Sequence, residues 1–275
     1  MSQSLSTAES LLYSTVKITS ISNGKEIGTG TAFYSIFNRK SDSLQPVLIT
    51  NKHVVDGADK ISIRCHIADP ETYELTGRLL DVTVALHDTL LPHPDNNIDL
   101  CAISIGSILQ QAIDQKIPIF YAPVTMDWIP DEEEWQYFDS IEDITMVGCP
   151  RGLTDEKNNF PIVRKGITAT SPNKDYNGKK EFMVDMACFP GSSGSPIFLY
   201  NANGYLNRKT QSYLMGETRL KLLGILYGGP TLTNSGQIIL NKGFEFEVSS
   251  MMHLGFAIKS TEIKVLEKHA LKVWV

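Results

Sequence analysis

Twelve short runs constrain the fold of this chain more than any other feature, many of them alternating apolar and polar residues at period two between polar turns. Six of them, at 15–18, 30–35, 46–50, 60–66, 79–86 and 98–105, fit a first β-barrel. Six more follow at 144–149, 162–168, 182–186, 196–200, 222–227 and 254–258. Between the sets, residues 127–143 carry eight acids and no base, interleaved with Trp128, Trp135, Tyr137 and Phe138. This stretch reads as a solvated crossing with its aromatics tucked underneath. Helices are expected only near the ends, at 7–12 and 260–271, the second with Ile263, Leu266 and Ala270 on one face. The pattern predicts an all-β protein of two six-stranded antiparallel β-barrels with a C-terminal helix. Its parts are a first barrel over 13–120, a connection over 121–142, a second barrel over 143–259 and a helix over 260–271. At 275 residues with 42% hydrophobic content, the chain suits one double-barrel unit with two cores.

Bulk properties narrow the function classes. The net charge is −6 and no run of Lys or Arg occurs, which disfavours nucleic-acid binding through phosphate neutralisation. Residues 1–20 lack the basic start and unbroken apolar stretch of a secretory signal, and no window has the apolar length of a membrane span. Of the four cysteines (Cys65, Cys101, Cys149 and Cys188), three lie inside apolar strand patterns. The expectation is four buried free thiols in a cytoplasmic protein.

One hexapeptide carries chemistry: Gly191-Ser192-Ser193-Gly194-Ser195-Pro196, set before the apolar run Ile197-Phe198-Leu199-Tyr200. A Ser hydroxyl needs an adjacent base and donors aimed at the oxyanion that forms. Glycines let backbone N–H groups converge on one point. Upstream, Leu48-Ile49-Thr50-Asn51-Lys52-His53-Val54-Val55 delivers a His from a strand end into a turn, and Asp99 heads the strand-like run Leu100-Cys101-Ala102-Ile103. His53, Asp99 and Ser193 occur in the order His, Asp, Ser, at separations of 46 and 94 residues. Three further histidines (His66, His87 and His93) with Cys65 show no compact metal-ligand spacing and read as surface groups. No metal or cofactor is called for.

The segments together resemble the trypsin-like serine peptidases of bacteria. Thr50-Asn51-Lys52-His53-Val54-Val55-Asp56 and Gly194-Ser195-Pro196-Ile197-Phe198 are similar to glutamyl endopeptidases and exfoliative toxins. Gly28-Thr29-Gly30-Thr31-Ala32-Phe33, Val147-Gly148-Cys149-Pro150-Arg151-Gly152-Leu153 and Gly255-Phe256-Ala257-Ile258 are similar to the HtrA (Deg) proteases. The resemblance implies barrels of chymotrypsin type and a polypeptide substrate. It makes His53 the general base, Asp99 its orienting carboxylate and Ser193 the nucleophile, with Gly191 and Ser193 N–H groups forming the oxyanion hole. It also implies a primary specificity pocket lined by Ala187, Cys188, Tyr227, Gly228, Gly229 and Gly255, with no charged side chain at its base.

Two departures stand out. Where zymogen-forming trypsins carry an Asp before the nucleophile, this chain has Ser192, which cannot form an ion pair and so argues against activation by an N-terminal amine. Restraint through loop ordering, a regulatory protein partner or tight specificity stays open. Residues 201–219 and 231–252 are long for connections flanking the pocket and suggest an added hairpin and a lid. No PDZ domain is expected after the final helix.

Overall fold

The computed structural model describes residues 5–38, 44–238 and 244–274. A capped helix α1 (Thr7–Tyr13) leads into the first lobe. Its strands are β1 (Thr15–Ser22), β2 (Lys25–Asn38), β3 (Leu44–Thr50), β4 (Lys60–Ala68), β5 (Leu75–Ala85), β6 (Leu90–Pro92), β7 (Cys101–Ser104) and β8 (Ile119–Phe120). Helix α2 (Gly106–Asp114) falls between the last two. Helix α3 (Glu132–Gln136) lies in the acidic connection. The second lobe holds β9 (Asp143–Gly148), β10 (Ile162–Thr168), β11 (Glu181–Asp185), β12 (Pro196–Asn201), β13 (Gly204–Asn207) and β14 (Ser212–Met215). It continues through β15 (Arg219–Gly228), β16 (Thr231–Ile238), β17 (Phe244–Met251) and β18 (Leu254–Lys259), and α4 (Thr261–Val273) closes the chain.

The second lobe is the expected closed barrel, in the order β10-β11-β18-β15-β12-β9. The first lobe departs from the expected six strands: it is an eight-stranded sheet in the order β5-β4-β1-β2-β3-β7-β6, with β8 paired to β4, and its hydrogen bonds do not close a ring. Strand β6 is three residues and β8 two, too short for a period-two signal. The fold class stands: mostly β, of chymotrypsin type, with a C-terminal helix. The stretch 201–219 supplies the separate hairpin β13–β14, and 231–251 supplies the hairpin β16–β17.

Three apolar clusters explain the arrangement. Ile18, Leu48, Ile61, Val84 and Ile103 fill the first lobe, and Phe182, Val184, Ile197, Leu199 and Ala257 the second. A third cluster joins them: Phe33, Val147, Phe198, Ile225 and Ile258 meet Ile263, Leu266 and Ala270 of α4. Strand β2 therefore loses its alternation, since residues 30–35 are buried on both faces. The acidic connection is less solvated than its composition suggests. Trp135 and Phe138 are buried beneath it, while Glu134 pairs with Lys221 and Glu142 with Arg219.

Candidate active site

The base and its acid are brought together by neighbouring strands. Strand β3 pairs with β7, with Thr50 opposite Cys101, so residues just beyond these ends emerge side by side. Asn51 is fully buried, and its Nδ2 donates to the Asp99 carbonyl at 2.7 Å, tying the two turns. The chain then makes one 3₁₀ turn, Lys52–Val54, that turns His53 outward. The His53 amide donates to Asp99 Oδ1 at 3.1 Å, and its ring Nδ1 lies 2.5 Å from Oδ2. Burial pushes the Asp99 carboxyl up, but the His53 hydrogen bonds and charge and the His53 and Lys52 amides outweigh it, leaving it below its usual value. The imidazole side chain is 48% exposed against 26% for the acid, so the ring faces the cleft with its partner behind it.

Ser193 sits in a turn anchored on every side. Its carbonyl accepts from Thr31 N–H at 2.9 Å, Gly194 N–H donates to the Leu226 carbonyl at 2.8 Å, and Ser195 N–H donates to the Ser192 carbonyl at 3.0 Å. Gly194 has φ +86°, and a Cβ there would lie 1.9 Å from the Thr31 carbonyl, so only glycine fits. The Pro190 carbonyl accepts from Arg151 N–H at 2.6 Å. In a planar trans peptide, N–H points opposite C=O, so the Gly191 N–H is turned away from Arg151. Among the described residues, neither the Gly191 nor the Ser193 N–H is engaged, which leaves two donors for an oxyanion. Ser193 Oγ donates to the Tyr227 carbonyl at 3.4 Å, and no Ser193–His53 hydrogen bond is formed among the described residues. Both residues nevertheless line one cleft of about 280 Å³, with Gly28, Thr29, Pro190 and Gly191. A nucleophile–base hydrogen bond commonly tightens only when substrate is bound.

Of the expected pocket residues, Cys188, Gly229 and Gly255 lie against one another or their neighbours, and Tyr227 meets the nucleophile turn. The β15–β18 register shifts between Leu226 and Gly228, which leaves Tyr227 without a strand partner and its carbonyl free to face Ser193. A Cβ on Gly255 would lie 2.5 Å from Leu226 Cδ1 and 2.6 Å from Cys188 Sγ, and one on Gly229 would lie 2.4 Å from the Leu254 carbonyl. Gly228 is open. The Tyr227 hydroxyl donates to buried Glu181 at 2.5 Å, which occupies its polar end. Ala187 carries no charge itself, but its carbonyl is capped from behind by Arg164.

Two residues at the site were missed from sequence. Thr31, fully buried on β2, donates from Oγ1 to the Gly191 carbonyl and accepts from Cys149 N–H, each at 2.9 Å. Arg164 of β10 reaches Ala187 and Ser192. Nothing local marks either: each is a polar residue in a strand pattern, and its partners lie far along the chain. Among the remaining histidines, His66 stacks edge-on with Tyr13 and His87 is exposed beside Asp88. His93 is not a surface group: it is buried, with Nε2 3.3 Å from Glu262 of α4.

The family model for the trypsin-like peptidase domain matches residues 28–206. No curated protein matches the sequence. Among solved structures, the chain is similar to a thermostable serine protease AL20 from an extremophilic microorganism, at 12% identity and TM-score 0.50, covering 94% of this chain and 97% of that one. It is also similar to a serine endoprotease from Yersinia pestis, at 15% identity and TM-score 0.49, covering 98% and 68%. A third is the MamO protease domain of Magnetospirillum magneticum, at 12% identity and TM-score 0.47, covering 94% and 97%. The family match spans more than half of the sequence, from the strand bearing Thr31 through the turn bearing Ser193, and the chain belongs to the trypsin-like peptidase family.

Proposed function

We propose that the protein is a serine endopeptidase that cuts polypeptides through an acyl-enzyme, using His53, Asp99 and Ser193. The observation that carries this reading is the His53 Nδ1 contact with Asp99 Oδ2, made by a ring that shares its cleft with Ser193. Ser193 Oγ attacks the scissile carbonyl as its proton passes to His53 Nε2, and Asp99 holds the other nitrogen protonated. The oxyanion that forms is received by the Gly191 and Ser193 N–H groups. His53 returns the proton to the departing amine, and water repeats the sequence to release the acid and regenerate Ser193. One oxyanion donor in comparable sites contributes about 10²–10³ in rate.

The pocket of Ala187, Cys188, Tyr227, Gly228, Gly229 and Gly255 offers a substrate side chain no accessible charge. An Arg or Lys there would lose its water without gaining a partner. An uncharged, mostly apolar residue before the cut is favoured, with about 1–3 kcal/mol of selectivity per methylene. The cleavage-site profile against a proteome-derived peptide pool tests this. Apolar residues should dominate at that position, and a profile dominated by Arg, Lys, Glu or Asp would refute it. A second reading, a catalytically latent chain on the same scaffold, draws on the Ser193 hydroxyl turned to the Tyr227 carbonyl; cleavage of the pool by the isolated protein excludes it. The buried free thiols favour a cytoplasmic setting.

A further inference from the structure

The turn bearing Ser193 is braced by a cation, Arg164, that pairs with no carboxylate among the described residues. Arg164 rises from β10 to the underside of the segment 187–192. One terminal nitrogen donates to the Ala187 carbonyl and Nη2 donates to Ser192 Oγ at 3.0 Å. Ser192 is fully buried, so this hydroxyl has no access to water. Arg164 Nε is buried with no partner, and no carboxylate pairs with the guanidinium among the described residues. Burial pulls the guanidinium below its usual value, beside the buried, neutral thiols of Cys188 and Cys149. Arg stays protonated regardless, so a half-buried charge is held here with its Nε buried and unpaired among the described residues.

The two acceptors bracket the oxyanion segment. Ala187 begins the stretch that forms the pocket base, and Ser192 separates Gly191 from Ser193. The upper side of the same segment is fixed by Arg151 N–H on the Pro190 carbonyl and by Thr31 Oγ1 on the Gly191 carbonyl. Gly191, at φ +84°, has backbone freedom that would otherwise let this peptide turn over and withdraw its N–H. We propose that Arg164 is a positioning residue that clamps Ala187 and Ser192 from beneath, holding the Gly191 and Ser193 N–H groups in the oxyanion-receiving orientation without any cleavage of the chain. The assignment rests on the peptidase reading above. It makes the hole a built-in property of β10, and a planar fork is the side chain suited to two acceptors at once.

Arg164→Gln, Arg164→Ala and Arg164→Lys test it in the full chain, with kcat expressed per serine titrated by a fluorophosphonate. Arg164→Gln is expected to lower kcat about 10²–10³-fold, the scale of one lost oxyanion donor, with KM changed less than about threefold. Arg164→Lys should recover part of that loss, and guanidinium ion at sub-denaturing concentration should raise kcat of Arg164→Ala but not of Arg164→Gln. Should the Arg164 variants fail to fold, Ser192→Ala removes one acceptor and keeps the cation, and a smaller fall in kcat of the same kind is expected. In a Ser193→Ala background, amide exchange over 187–195 should quicken at least about tenfold on Arg164→Gln while the rest of the barrel holds. Wild-type kcat per titrated site in Arg164→Gln, or exchange that is unchanged or accelerated equally throughout the barrel, would overturn the assignment. A wild-type chain with no titratable serine would instead remove the peptidase reading, and the exchange arm would still decide the role of Arg164.

Discussion

His53, Asp99 and Ser193 could be singled out in the sequence because each lies in a short local pattern, a strand end or a glycine-flanked turn. Thr31 and Arg164 could not, because their roles exist only once distant segments meet: Thr31 Oγ1 and the Gly191 carbonyl are 160 residues apart. The Asp99 carboxylate shows what such contacts do. Its folded value is depressed, so its contribution to stability is complete above the ordinary carboxylate pKa of about 4 and is lost as pH falls through the lower folded value. Asp99→Asn removes that dependence and frees the imidazole to take the wrong tautomer. Its kcat is expected to drop about 10⁴-fold, with a flatter acid limb in a thermal-melt series against pH. An unchanged kcat would separate the His53–Asp99 contact from catalysis.

At the scale of elements, the longer strands were readable from alternation and the shortest were not. Strands β6 and β8 offer too few residues for a period, while β2, read at 30–35, shows no alternation there because those residues are buried on both faces. The acidic stretch was read as solvated because its cationic partners, such as Lys221 and Arg219, come from the other end of the second lobe. Thr31 ties strand β2 to the nucleophile turn. Thr31 gives its amide to Ser193 and its hydroxyl to Gly191 while receiving Cys149 N–H. Thr31→Val keeps the shape and strands the Gly191 carbonyl and the Cys149 N–H. The expected destabilisation is about 1–3 kcal/mol per unsatisfied group, read by urea unfolding, together with a fall in kcat. A variant as stable and active as the parent would show that β2 merely abuts the nucleophile turn.

Across the whole molecule, the two lobes share a core that α4 seals, and the thiols report on its integrity. All four are free and buried. Burial raises Cys65 and Cys188 to about 11 and Cys149 to about 12, and drives Cys101 upward as well. The thiolate is the reactive form, so the native protein at pH 8 should take up maleimide slowly at every site. Four labels should appear once it is unfolded without reductant. Finding two would mean that a disulfide had formed, against both the packing and the proposed cytoplasmic setting.

The central claim is that Ser193 is a nucleophile activated by His53, and a fluorophosphonate adduct mapped by peptide mass spectrometry tests it most directly. Wild-type protein should carry one adduct, on Ser193. Ser193→Ala should carry none, and both it and His53→Ala should lose about 10⁴–10⁶ in peptide turnover. An adduct on Ser192 or Ser195, or full turnover by a folded Ser193→Ala, would contradict the account.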